Sequence, residues 1–202
     1  VQKEGATTVP AVTLHDIVRK MADGSTVTLT LDESGNFMTV EADRSNFRLS
    51  CLPIEDFPQL SQDDLPAGFS IPAAELRALI DRTKFAMSTE ETRYYLNGIY
   101  LHATESNGVQ VLRAVATDGH RLAQFDMPLP EGAADMPEII VPRKAIGELR
   151  KLIDEAADTI NITLSDNKIR FSFDHIVLTT KLIDGTFPDY TPVSYTHLRA
   201  HE

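Results

Sequence analysis

The stretch IIVPRKAIGELRKLI (139–153) changes its period in the middle. A β-branched residue, Val141, precedes Pro142, and from there Ile146, Leu149, Leu152 and Ile153 recur at helical spacing. Proline suits the first helical turn and pushes the residue before it towards extended geometry. The stretch therefore predicts a strand running straight into a helix. Val9-Pro10 and Ile71-Pro72 repeat the pattern. Leu14, Ile17, Val18 and Met21 form the apolar face after Pro10, and Leu76, Leu79, Ile80 and Thr83 the face after Pro72.

Alternating runs follow these helices. After the first come VTLTLD (27–32), FMTVEA (37–42) and NFRLSCL (46–52). After the third come INITLS (160–165), KIRFSF (168–173) and HIVLTTKLI (175–183). Both series close alike, on CLPIEDFPQL (51–60) and KLIDGTFPDY (181–190). A helix-plus-three-strand unit thus recurs after about 130 residues, with a unit of the same kind starting at Ile71 in between. The polar QLSQDDLPAGFS (59–70) reads as a linker. The expectation is an α+β class, with repeated helix-on-antiparallel-sheet units. The first unit has no partner before it, and the chain opens at Val1 inside a polar stretch, so a fragment is expected.

Its 202 residues are enough for one to two domains with real cores, and 42% of them are hydrophobic. A single cysteine, Cys51, rules out a disulfide framework or a cysteine-based metal cluster. No apolar run reaches membrane-spanning length and no signal peptide opens the chain, so a cytoplasmic setting without membrane contact is expected. The net charge of −11 argues against nucleic acid when taken whole. Its distribution is uneven. Residues 10–21, 72–88 and 142–155 each carry +1, which leaves −14 on the rest. Helices are mildly basic; sheets and loops are acidic. Ordinary solvated helix faces could give the same count.

VQVLRAVA (109–116) and RLAQFD (121–126) read as strands with TDGH between them. Asp-Gly in that setting predicts a type I′ turn. Asp118, His120 and Arg121 invite a catalytic reading, but no nucleophile, GxSxG, HExxH or paired metal-ligand spacing accompanies them. His15, His102, His175, His197 and His201 are scattered. A structural turn or a binding rim on a rigid hairpin fits better, and no cofactor is expected.

TRYYLNG (92–98), ATDGHRLA (116–123), IIVPRKAIGEL (139–149) and DGTFPDY (184–190) closely resemble the bacterial DNA polymerase III beta sliding clamp family. GATTVPA (5–11) and LPIEDFPQL (52–60) resemble its first domain. The likeness runs in order from about residue 4 to Tyr190. It implies residues 1–62 as the C-terminal half of clamp domain 1, 63–190 as a nearly complete domain 2, and 191–202 as a non-native tail, because TPVSYTHLRAHE departs from the family. The family's chains carry three similar domains, and two chains close head to tail into a ring. By resemblance, the function is to encircle double-stranded DNA without reading sequence and to tether the DNA polymerase III alpha subunit, the clamp loader and other clamp-motif proteins. Such a clamp is no enzyme.

The resemblance also implies roles for individual residues. Leu96, Thr117, Gly119, His120, Arg121, Leu122 and Pro188 would wall part of a pocket for a partner peptide with a Gln and Leu/Phe-type anchors. Arg93, Tyr94 and Tyr95 match a DNA-touching loop, with sheet packing as the alternative for the tyrosines. Arg143 and Lys144 match a helix start facing the hole, and Lys84 and Arg82 follow on charge and position. Ile17 and Leu49 match the homodimer joint. By itself the chain is expected not to close a ring. A peptide-binding scaffold that never encircles DNA and a hydrolase using Asp118 and His120 are the competing classes.

Overall fold

The computed structural model describes residues 4–58, 65–154 and 158–191. Most of the expected tail, 192–202, and much of the expected linker, 59–64, therefore lie outside the described residues. Contacts divide the chain into two units, Val1–Ser61 and Gln62–Glu202.

In the first unit, α1 (Ala11–Val18) is followed by β1 (Thr28–Leu31), β2 (Phe37–Ala42) and β3 (Ser45–Ser50). The strands form one antiparallel sheet in the order β1-β2-β3. Met38, Val40, Leu49 and Cys51 make a small core, covered by Val9, Leu14, Ile17 and Met21. Val18, expected on the apolar face, is exposed because the helix stops there, after two turns. Every residue of β1 is exposed, and among the described residues β1 and β3 are the two edges of the sheet, with no further strand on either.

Among the described residues, the second unit has two four-stranded antiparallel sheets and two α-helices. Its strands are β4 (Ala67–Pro72), β5 (Gly98–Ser106), β6 (Val109–Thr117), β7 (Leu122–Pro128), β8 (Ile139–Pro142), β9 (Thr159–Leu164), β10 (Lys168–Phe173) and β11 (Ile176–Lys181). The sheets run β11-β10-β9-β4 and β7-β6-β5-β8. Each half of the unit thus lends its leading strand to the sheet of the other half. β4 runs into α2 (Ala73–Thr83) and β8 into α3 (Arg143–Ile153). Pro72 and Pro142 occupy the position just before the helix, in extended geometry, rather than the first helical residue. Their helices lack a side-chain cap; instead, the first amides bond backbone carbonyls elsewhere, Ala73 N to Asp158 O (2.9 Å) and Arg143 N to Asn97 O (2.8 Å).

The sheets and both helices share one core, with Ile71, Leu79, Ile80, Ile99, Leu112, Leu149, Ile160, Ile162 and Ile169 almost fully buried. Burying each of these side chains contributes about 1.5–3 kcal/mol. The helices lie antiparallel: Arg77 meets Asp154 at 2.9 Å and Arg150 meets Asp81 at 2.9 Å. These are the edges of a helix pair whose apolar faces, spaced as the sequence predicts, turn to the sheets.

Candidate functional site

The hairpin between β6 and β7 is not the predicted type I′ turn. Thr117 pairs with Leu122, so four residues, 118–121, make the connection. Gly119 alone in it has positive φ, at 89°. Side chains replace the missing backbone bonds. Thr117 Oγ1 donates to the Arg121 carbonyl at 2.7 Å and accepts the Gly119 amide at 3.1 Å. Asp118 Oδ1 accepts the amides of His120 and Arg121 at 3.0 Å each. Those two amides, helped by the Arg121 guanidinium, hold the Asp118 carboxyl down at about 2. This carboxylate shapes a turn, and among the described residues no histidine ring bonds to it. The hydrolase reading therefore has no geometry behind it.

Below the hairpin lies an apolar cluster separate from the main core: Leu96, Val115, Ile140 and Phe187, with Tyr95, Tyr100, Leu122 and Ile183 against it. The fold so brings Leu96 and Leu122 together with the neighbour of Pro188. Leu96 is only 3% exposed, so its side chain is core; Leu122 is half-buried and Pro188 exposed. Residues 182–190 are anchored by Ile183 N to Ile140 O (3.0 Å), by Phe187 stacked on Tyr100 (4.7 Å between centroids), and by a 2.8 Å bond between Tyr190 Oη and His102 Nε2. His120 and Arg121 project from the hairpin as exposed side chains, and the Arg121 guanidinium lies 5.7 Å from the ring centre of Phe85. Phe85 is 55% exposed, and its sequence context, a basic helix end, gave no sign of a place beside the hairpin.

The expected DNA-contacting residues divide into two groups. Arg143 and Lys144 are exposed at the start of α3, and among the described residues neither has a carboxylate within ion-pair distance. Arg82 is also exposed, lying over Phe125 at 4.9 Å. Lys84, in contrast, pairs with Asp81 at 2.6 Å. Arg93 grips Glu90 with two bonds, of 2.9 and 2.7 Å. Tyr94 is 53% exposed, whereas Tyr95 packs on the apolar cluster. In the first unit, Leu49 faces the core and Ile17 is packed against it, while the edge of β3 remains open.

A cavity of about 470 Å³ lies elsewhere. Tyr100, Ile140 and Phe187 line it with three carboxylates, Glu138, Asp166 and Asp184, and none of the expected pocket residues does. No cluster of His, Cys, Asp or Glu fit for a metal ion occurs among the described residues.

A chain in which β4 and β8 run straight into helices, with a basic start to α3 and a polar hairpin above an apolar cluster, has the architecture of a DNA clamp. Residues 70–189 match the central domain of the DNA polymerase III beta subunit, and residues 1–61 match its N-terminal domain. The beta sliding clamp of Caulobacter vibrioides is 50% identical over 189 residues, 94% of this chain and 51% of that protein. The Escherichia coli K12 beta sliding clamp is 41% identical, over 94% of this chain and 50% of that protein. A crystal structure of a sliding clamp from Bartonella birtlesii bound to griselimycin superimposes with a TM-score of 0.89 at 53% identity, covering 95% of this chain and 51% of that one. Caulobacter crescentus pol III beta gives 0.89 at 49% identity, over 96% and 52%. The chain belongs to the DNA polymerase III beta subunit family, the bacterial beta sliding clamps. It spans about half the length of these relatives. No described helix is long and apolar enough to cross a membrane.

Proposed function

We propose that this chain is the DNA-facing and partner-docking part of a sliding clamp, a non-catalytic processivity factor that encircles duplex DNA and tethers the replicative polymerase. The observation that carries this reading is the pair Arg143 and Lys144, exposed and without carboxylate partners among the described residues at the start of α3, in a chain of net charge −11. A small free basic surface within an acidic protein attracts a phosphate backbone to one place and repels it elsewhere. Arg82 and Tyr94 are exposed as well and available to DNA; Lys84 contributes less, because Asp81 pairs with it. No base edge need be read, so binding is sequence-independent.

Docking falls to the hairpin. Thr117, Gly119, His120 and Arg121 offer a rigid polar rim, and Leu122 and Pro188 offer apolar surface for Leu- or Phe-type anchors, over a floor that Leu96 supports from within. Partners are the DNA polymerase III alpha subunit, the clamp loader and other proteins with the same short motif. Tethering raises their effective concentration at the primer end. The open edge of β3, with Ile17 nearby in the same unit and Leu49 inside it, serves the head-to-tail homodimer joint. A cytoplasmic, nucleoid-associated location goes with this role. No bond is made or broken, and no cofactor is used.

The test is fluorescence anisotropy of a labelled Gln-Leu-x-Leu-Phe peptide with this chain and with its Leu122→Ala and His120→Ala variants. Saturable binding that weakens in both, with the fold intact, supports docking at the hairpin. No binding by the folded chain overturns it.

A further inference from the structure

Arg93 lies in the loop that the family resemblance assigns to DNA, yet its guanidinium is turned to the hairpin. A side chain on Gly119 would stand 2.5 Å from Arg93 Nη1, so the guanidinium lies directly against the Gly119 backbone. Its other edge is held by Glu90 Oε1 and Oε2. Glu90 is itself fixed: its amide donates to Ser88 Oγ at 3.1 Å, and its carbonyl accepts Asn97 Nδ2 at 2.9 Å. The carbonyl of Asn97 in turn receives the first amide of α3. A short hydrogen-bonded path thus runs from the start of α3 through Asn97 and Glu90 to Arg93, and ends at the glycine of the hairpin.

We propose that Glu90 is a positioning residue for partner docking: it holds the planar guanidinium of Arg93 against Gly119 and thereby fixes the hairpin in the shape that meets a peptide. The role rests on the docking reading above. A planar fork held by Glu90 along one edge and packed against Gly119 on the other is a stiffer spacer than a flexible ammonium. Gly119, at positive φ and without a side chain, leaves room for the guanidinium to pack on the hairpin, in addition to the bonds that Thr117 and Asp118 make within it. A phosphate that captured Arg93 would have to displace Glu90 first, so Arg93 serves the hairpin in preference to DNA.

The experiment compares the 202-residue chain with its Glu90→Ala, Glu90→Gln and Arg93→Lys variants. Three quantities are read: affinity for the labelled Gln-Leu-x-Leu-Phe peptide, amide exchange at Gly119–Arg121, and affinity for duplex DNA at low salt. Glu90→Ala and Arg93→Lys weaken the peptide about threefold or more and speed exchange at the hairpin, with an unchanged melting temperature. Glu90→Gln, which keeps an acceptor, falls between them and the parent chain. Arg93→Lys keeps its charge and so leaves the affinity for duplex DNA as it was. Unchanged affinity and exchange in Glu90→Ala, beside a parent chain that binds, overturn the role of Glu90 alone, as does a loss that appears only with global unfolding. A folded parent chain that binds no peptide overturns the docking reading, and this role with it.

Discussion

Arg113 and Asp126 face each other across β6 and β7 and are joined by two hydrogen bonds of 2.7 Å, Nε to Oδ1 and Nη2 to Oδ2. Burial alone would raise the Asp126 carboxyl; the guanidinium outweighs it and holds the carboxyl below its usual range. The same pairing raises Arg113. Breaking one side leaves the other charge half-buried without a counterion. Asp126→Asn is expected to cost about 1–3 kcal/mol, seen as a lower midpoint in urea. An apolar pair, Arg113→Met with Asp126→Leu, costs less than either single change.

His102 gives a pH dependence. Burial pushes its imidazole below the ordinary value, and its Nε2 meets the Tyr190 hydroxyl. Glu138, Asp126 and Arg113 are the charged groups that act on it. As pH falls below about 6.5, the unfolded chain takes up the proton first, so stability is full above that pH and declines below it. Melting temperatures between about pH 8 and pH 5 should fall for the parent chain and fall less for His102→Gln.

Leu96 and Leu122 belong to one cluster but predict different outcomes. Leu96→Ala opens a cavity in packed surroundings and should cost about 2–5 kcal/mol in chemical denaturation. Leu122, half-buried, should cost about 1–2 kcal/mol on the same scale. Only Leu122→Ala can therefore report on docking without disturbing the fold.

Arg143→Glu with Lys144→Glu should weaken duplex DNA binding without altering the melting temperature, since both side chains are exposed. The slope of log affinity against log salt should shrink by about 0.9 for each phosphate that the protein no longer neutralises. An unchanged slope would remove the start of α3 from the DNA-facing surface.

Gly98 begins β5, where a side chain would collide with the carbonyl of Val141 in β8. Gly98→Ala should force the two strands apart and cost upwards of about 2 kcal/mol, measured by urea denaturation.

The sequence alone determined the units. Proline after a β-branched residue gives a strand that turns into a helix at Pro72 and Pro142, whereas at Pro10 the helix follows without a strand before it; the periods of Ile146, Leu149 and Ile153 and of β9 and β10 follow from which faces must be apolar. These are local constraints, carried by residues a few positions apart. The family motifs were legible for the same reason, as short strings at fixed spacing. Tertiary structure decided what each charged or polar residue does once folded. Asp-Gly promised a two-residue turn, but Thr117 and Asp118 supplied side-chain bonds that stabilise a four-residue one. Lys84, Arg93 and Arg143 look alike in a charge count. Asp81 neutralises the first, Glu90 and Gly119 engage the second, and the third meets no carboxylate among the described residues. Long side chains reach partners from other elements, and the Coulomb energy of a charge depends on those partners and their distance, which only the folded chain sets.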